Sequence, residues 1–235
     1  MSLSGESLRT AAAWLIDFDN TLAALEKEVD WAESRRELEA MLRATDCPAD
    51  LFELFPKGNL PLYDALLHRL RTMHHGLTAA DRELLSQASA IIERHELIGV
   101  ERAQPLPGAI ELLRIVGRAR PVAIVTSNSS KTVTRWLQRH QLSITAIMGR
   151  DRQMALKPAP ESVDAALGLL RVEAAQAIFA GDSPADLMAA RAAEVRFVGI
   201  APSATIWQRL QQAGAEVIFG NPADLAERLM QAEGR

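Results

Sequence analysis

Two carboxylates, Asp17 and Asp19, end the first apolar run of the chain, Trp14-Leu15-Ile16, and are followed by Asn20-Thr21-Leu22. A few contiguous apolar residues bounded by a turn signal form the pattern of a buried strand in a parallel sheet, which predicts a strand over 13–18. Acids at the C-terminal end of such a strand lie where open α/β sheets bind ligands. Asn20 tolerates positive φ and Thr21 can cap, so the chain can turn sharply there. Taken alone, Asp-x-Asp-x-Thr is equally a strand followed by a polar turn.

Three later segments carry residues of matching chemistry. After the apolar run 122–125 come Thr126-Ser127-Asn128-Ser129-Ser130-Lys131. A hydroxyl and backbone N–H groups at a strand end before a helix suit a phosphate or an oxyanion, and equally suit an ordinary helix cap. Lys157 precedes Pro158 and Pro160 in a stiffened turn, where its ammonium would neutralise an acid and a bound phosphate or simply sit in solvent. Gly181-Asp182-Ser183-Pro184-Ala185-Asp186 places two acids about a turn apart at a helix start, where the dipole alone would welcome them. Asp17, Asp19, Asp182 and Asp186 gathered in one cleft could not all stay ionised without a cation. Hard oxygen donors of this kind suit Mg²⁺.

The elements that must position these residues fall into two textures. Apolar residues recur at helical spacing over 31–42, 60–73 and 80–98, with breakers at Cys47-Pro48, Phe55-Pro56-Lys57-Gly58-Asn59 and His75-Gly76, and with Thr78 as a cap. From Pro105 onward, short apolar runs at 122–125, 144–148, 177–180, 196–199 and 216–218 alternate with helical patterns. Repeated βα alternation implies a doubly wound parallel sheet with crossover helices on both faces. The strand at 13–18 joins that sheet, so 23–102 reads as an all-helical cap inserted into a core made of 1–22 and 103–235, through linkers near 22–27 and 99–105.

The chain has 235 residues, 48% apolar and 24% charged, which is enough for a sizeable core of ordinary globular composition. With a net charge of -4 and no basic stripe, nucleic acid is not an expected partner. No apolar stretch is long enough to span a bilayer, and Met1-Ser2-Leu3-Ser4-Gly5 lacks the layout of a signal peptide. The single cysteine, Cys47, cannot form an internal disulfide and has no histidine beside it in a motif. These features point to a cytoplasmic protein and leave its oligomeric state open.

In order, Asp17-x-Asp19-x-Thr21, Thr126 after an apolar strand, Lys157-Pro-x-Pro and Gly181-Asp182-Ser183-x-x-Asp186 resemble the four motifs of the haloacid dehalogenase-like superfamily. The resemblance covers a Rossmann-like core. The helical insertion is similar to the cap of phosphoglycolate phosphatase-like and phosphoglucomutase-like members. It implies that Asp17 is the nucleophile that takes a phosphoryl group and that Asp19 is the acid and base, its backbone carbonyl helping to hold the metal. Asp17 and Asp182 would ligate Mg²⁺ and Asp186 would orient its shell, while Thr126, the Ser127 backbone and Lys157 would hold phosphoryl oxygens. The implied activity is phosphatase action on a small phosphorylated metabolite, with phosphoglycolate as the nearest guess. A sugar-phosphate mutase or an idle binding relative are the rivals. Asn20 replaces a common glycine, and Ala23-Ala24 replaces an acidic-serine pair beside the hinge. Candidates for specificity are Trp31, Arg35, Arg36 and Lys57, with the 55–59 loop as a possible tip. Trp136 and Trp207 read as packing, and His68, His74 and His75 as a solvated helix end.

Overall fold

The structure is a computed structural model that describes residues 8, 10–45, 47, 51–52, 58–118 and 120–233. Lys57, Pro48, the 55–57 part of the expected specificity loop and the first seven residues therefore lie outside the described residues. Six strands, β1 (Ala13–Ile16), β2 (Val122–Val125), β3 (Ala146–Met148), β4 (Ala177–Gly181), β5 (Arg196–Ile200) and β6 (Ile218–Phe219), form one sheet in the order β3-β2-β1-β4-β5-β6. Every pairing is parallel. The expected α/β doubly wound sheet is therefore present. β1 sits between β2 and β4, with Ile16 level with Ile124 and with Ala180. The ends of these three strands, carrying Asp17, Thr126 and Asp182, are thus brought side by side, at the point where the strand order reverses and a crevice opens.

Strand residues alternate between two buried layers, as the pleat requires. Trp14, Ile16, Ile124, Ile178 and Val198 face one way, packing on α4 (Ala109–Gly117), α5 (Ser130–Arg139) and α9 (Pro222–Glu233). Leu15, Val125 and Phe179 face the other way, onto α6 (Glu161–Leu170) and α7 (Pro184–Ala192), with α8 (Ala204–Gln212) beyond. Trp136 is fully buried edge-on to Phe18, their ring centroids 5.5 Å apart, as expected of a packing residue. Trp207 departs from that expectation: it lies on α8 with 38% of its surface exposed.

β1 stops two residues short of the expected 13–18. Asp17 N still bonds Ala180 O (2.9 Å), but Phe18 O has turned to accept from Leu22 N (2.8 Å) and Ala23 N (3.0 Å). Asn20 at φ 59° makes this turn, a conformation Asn adopts more readily than most residues. The intervening helices α1 (Trp31–Arg43), α2 (Asn59–Met73) and α3 (Ala79–Val100) share their own apolar cluster, built on Leu38, Leu66, Leu85 and Ile92. Their burial supplies the stabilisation that propensity alone would not. The two connecting strips bond to each other, Ala24 N to Gln104 O (3.0 Å) and Leu106 N to Leu22 O (2.9 Å). His68 and His75 are exposed, and His74 Nδ1 lies 2.8 Å from Asp81 Oδ2 at the start of α3, where Thr78 and Asp81 form a capping box.

Candidate active site

The three segments that carry acids or the lysine converge with the 126–130 loop at the carboxyl edge of the sheet. Oxygen atoms of Asp17, Asp182 and Asp186 lie within 4.8 Å of one another. Lys157, whose side chain is only 7% exposed, places Nζ 2.5 Å from Asp17 Oδ1, bonds Asp186 Oδ1, and reaches Val125 O at 3.2 Å. Its ammonium is therefore spent on two carboxylates and the end of β2. Phe179 lies beneath it, the ring centroid 5.6 Å from Nζ. Those buried anions hold the lysine well above its ordinary value, outweighing the opposing effect of burial.

Local sequence explains how each acid is aimed. Ser183 caps α7 and forms a capping box with Asp186: Ser183 Oγ accepts from Asp186 N (3.2 Å), and Asp186 Oδ2 accepts from Ser183 N (3.0 Å). Gly181 lets this carboxylate approach the strand, since a Cβ there would lie 2.6 Å from Asp186 Cβ. Thr21 Oγ1 donates to Asp17 Oδ2 (3.2 Å), a role for the third motif residue beyond turning the chain. Asp19 Oδ1 accepts from the amides of Leu25 and Glu26, each at 2.9 Å, which ties it to the first linker.

Burial pushes the carboxyls upward. Asp17 is raised to about 6, with the nearby Lys157 opposing the rise, and Asp19 to about 7 despite its two amide bonds. Asp182 is raised to about 9, by burial first and then by the charges of Asp17 and Asp186. Among the described residues no protein donor reaches the Asp182 carboxylate. Oxygen-only donors, one of them without a protein partner and all of them costly to ionise together, fit a hard divalent cation.

The 126–130 loop is both cap and cradle. Ser129 caps α5, accepting from Thr132 N at 3.1 Å. Several free N–H groups were expected there, but most are already committed: Asn128 N to Thr126 Oγ1, Ser129 N to Glu96, Ser130 N to Asp151. The amide of Ser127 is the one without an acceptor among the described residues. Thr126 Oγ1 donates to Asn128 Oδ1 at 3.0 Å.

A cavity of about 610 Å³ opens above these groups, with Trp31, Arg35, Leu60 and Pro61 on the helical side. Of the residues expected to set specificity, Trp31 and Arg35 thus line it. Arg35 also donates to Glu39 (2.5 Å) and Gly58 O (2.8 Å). Arg36 instead pairs with Glu33 at the exposed surface and is not part of the wall. Asn128, Glu96 and Arg150, which fix the 126–130 loop, were not singled out in the sequence. Asn128 directly follows the recognised Thr-Ser, but a Glu on an amphipathic helix and an Arg after a short strand give no local signal.

A parallel α/β sheet with an acid and lysine cluster at its carboxyl edge defines an α/β protein with a charged site where such sheets bind ligands. The chain belongs to the haloacid dehalogenase-like hydrolase family, whose profile it matches over residues 15–200. It is 23% identical over 159 residues to a phosphoglycolate phosphatase of Yersinia pestis, covering 66% of this chain and 68% of that protein. Among solved structures, a hydrolase from Pseudomonas syringae superposes with TM-score 0.61 at 23% identity, covering 94% of this chain and 98% of the other. A phosphonoacetaldehyde hydrolase-like protein from Oleispira antarctica gives TM-score 0.65 at 14% identity, with 96% and 94% coverage.

Proposed function

We propose that this hydrolase, a phosphatase of the family, cleaves a small phosphate monoester through a phosphoryl group carried on Asp17, with Mg²⁺ bound by Asp17, Asp182 and the Asp19 backbone carbonyl. The observation that carries the reading is the convergence of Asp17, Asp182 and Asp186 within 4.8 Å, with Lys157 bridging two of them. Asp186, held by Ser183 and Lys157, orients the metal's shell rather than ligating it directly. When bound, the cation offsets negative charge on the phosphoryl oxygens and on the carboxylates.

The protein groups do the rest. Asp17, at about 6, is largely ionised near neutral pH and offers a carboxylate oxygen to phosphorus, displacing the alcohol. Asp19, at about 7, carries a proton for a large part of the time, so it can protonate the leaving alkoxide and then take a proton from the water that cleaves the acyl phosphate. The Ser127 amide holds a phosphoryl oxygen, and Thr126 and Lys157 join it by exchanging their present acceptors, Asn128 Oδ1 and the carboxylates, for phosphoryl oxygens, because phosphoryl transfer depends chiefly on positioning and electrostatics. Residues 23–102 act as a cap over the core of 1–22 and 103–235, with Trp31 and Arg35 facing the alcohol part of the ester. Phosphoglycolate is the first substrate to try, given the Yersinia pestis relative.

No described helix is long and apolar enough to cross a membrane. A cytoplasmic location fits a chain whose one cysteine offers no internal disulfide. Phosphate release from a panel of small phosphate monoesters, with EDTA and then with Mg²⁺ restored, tests the reading. Metal-dependent release is expected; turnover indifferent to chelation contradicts the metal assignment, and no release from any ester contradicts the activity.

A further inference from the structure

Glu96 and Arg150 form an ion pair in which both side chains are 0% exposed, and neither belongs to the four motifs. Burying two charges costs several kcal/mol, and apolar residues of similar volume often stabilise a fold as well, so stability alone is a weak reason for such a pair. What it holds is more informative. Glu96, on α3, accepts from Arg150 at 2.8 and 3.2 Å, Asn128 Nδ2 at 3.0 Å, Ser129 N at 3.0 Å and Thr132 Oγ1 at 3.2 Å. Arg150 donates in turn to Ser127 O at 2.8 Å and to Ser89 Oγ at 3.2 Å.

Three successive residues after Thr126 are therefore pinned by one pair: Ser127 through its carbonyl, Asn128 through its side chain, Ser129 through its amide. An ionised carboxylate only accepts, so Glu96 draws Asn128 Nδ2 to itself and leaves Asn128 Oδ1 for the Thr126 hydroxyl. The backbone closes the same circuit, with Arg150 N donating to Asn128 O at 2.9 Å. Gly149 permits this approach, since a Cβ there would lie 2.5 Å from Ser130 N.

We propose that Glu96 and Arg150 are positioning residues for phosphoryl transfer. The pair fixes the loop that presents the Ser127 amide to the phosphoryl oxygens, with Thr126 held beside it through Asn128, and it ties that loop to helix α3. The inference rests on the reading of Thr126 and Ser127 as the phosphoryl-binding end of the site. Neither residue of the pair lines the catalytic cavity, so both act through the loop.

Two variants test it. Glu96→Gln puts an amide N–H₂ among five donors, and Arg150→Lys keeps the buried charge while losing the fork that reaches Glu96 and Ser127 together. Both are measured for kcat and KM on p-nitrophenyl phosphate, for the inhibition constant of orthophosphate, and for half-saturation by Mg²⁺, alongside thermal unfolding. A misplaced loop is expected to lower kcat by about 10- to 100-fold and to weaken orthophosphate, while Mg²⁺ half-saturation stays within about twofold because the acids are untouched. Folded variants with wild-type kcat and orthophosphate affinity overturn the proposal. So does a loss of activity explained wholly by the unfolded fraction, or a failure of both variants to fold, either of which would make the pair a folding element. An active wild type with indifferent variants sinks only this inference. A wild type that neither turns over nor binds orthophosphate sinks the phosphatase reading with it.

Discussion

Lys157 Nζ lies 2.5 Å from Asp17 Oδ1 across 140 residues of sequence, and the same ammonium bonds Asp186. One cation thus partly neutralises two of the three clustered acids, while Asp182 has no such partner among the described residues. The arrangement balances part of the negative charge with the chain itself and leaves Asp182 to be relieved by a proton or by the proposed cation.

Removing the lysine should therefore expose the imbalance. Lys157→Met is expected to lose turnover and to lower metal-free stability by about 3–5 kcal/mol, the usual cost of leaving a buried partner uncompensated. Mg²⁺ should return part of the stability and none of the activity. Urea unfolding with and without Mg²⁺ checks this, and an unchanged midpoint would contradict it.

The raised carboxyls make a signed prediction about pH. Asp17, Asp19 and Asp182 reach about 6, 7 and 9 in the fold, against about 4 in an unfolded chain. Across that window the folded state binds more protons, so their contribution to stability is full below about pH 4 and is lost as pH rises through 6 to 9. Burial lowers His95 and His140, which works in the opposite sense near pH 6, so the informative quantity is the difference between Mg²⁺ and EDTA. The gain in Tm on adding Mg²⁺ should grow from pH 5 to pH 9. A gain that shrinks over this range would refute the shared acid site.

Gly181→Ala probes the geometry without touching any charge. Its Cβ would meet Asp186 Cβ at 2.6 Å, so the capping-box acid has to move and carry Lys157 with it. A loss of about 1–3 kcal/mol is expected from overpacking, with a fall in kcat of roughly tenfold or more from misplacement. Wild-type kinetics in this variant would show that the close approach is dispensable.

Asp19 should matter most where the leaving group is poor. For Asp19→Asn, kcat/KM on an alkyl phosphate is expected to drop by about 10²–10⁴, the range of general acid catalysis, and much less on p-nitrophenyl phosphate. Equal losses on both esters would remove Asp19 from the protonation step.

Much of this architecture was legible in the sequence because the relevant signals are local. The apolar runs at β2 and β4 and the helical spacing of α1 to α3 lie within two residues of the observed elements. Asp17 and Asp182 stand out because each follows a strand end, Lys157 because it precedes a rigid turn, and Asp186 because it sits in the first turn of a helix. What was not legible depends on contacts distant in sequence. Glu96 reads as one polar position on an amphipathic helix, and only the fold brings it to Asn128 and Arg150, 32 and 54 residues away. The 126–130 loop seemed to offer several amides, but Glu96 and Asp151 claim two of them from other segments. Trp207 has the side chain of a core residue, but its helix α8 buries only Leu210, and Trp207 is left 38% exposed.

The central claim is that Asp17 itself carries the phosphoryl group. Acid-quenching the enzyme during turnover and mapping the modified peptide by mass spectrometry tests this most directly. The account predicts one phosphoryl group on the peptide containing Asp17, absent in Asp17→Asn. A phosphoryl group on any other residue, or turnover retained by Asp17→Asn, would contradict it.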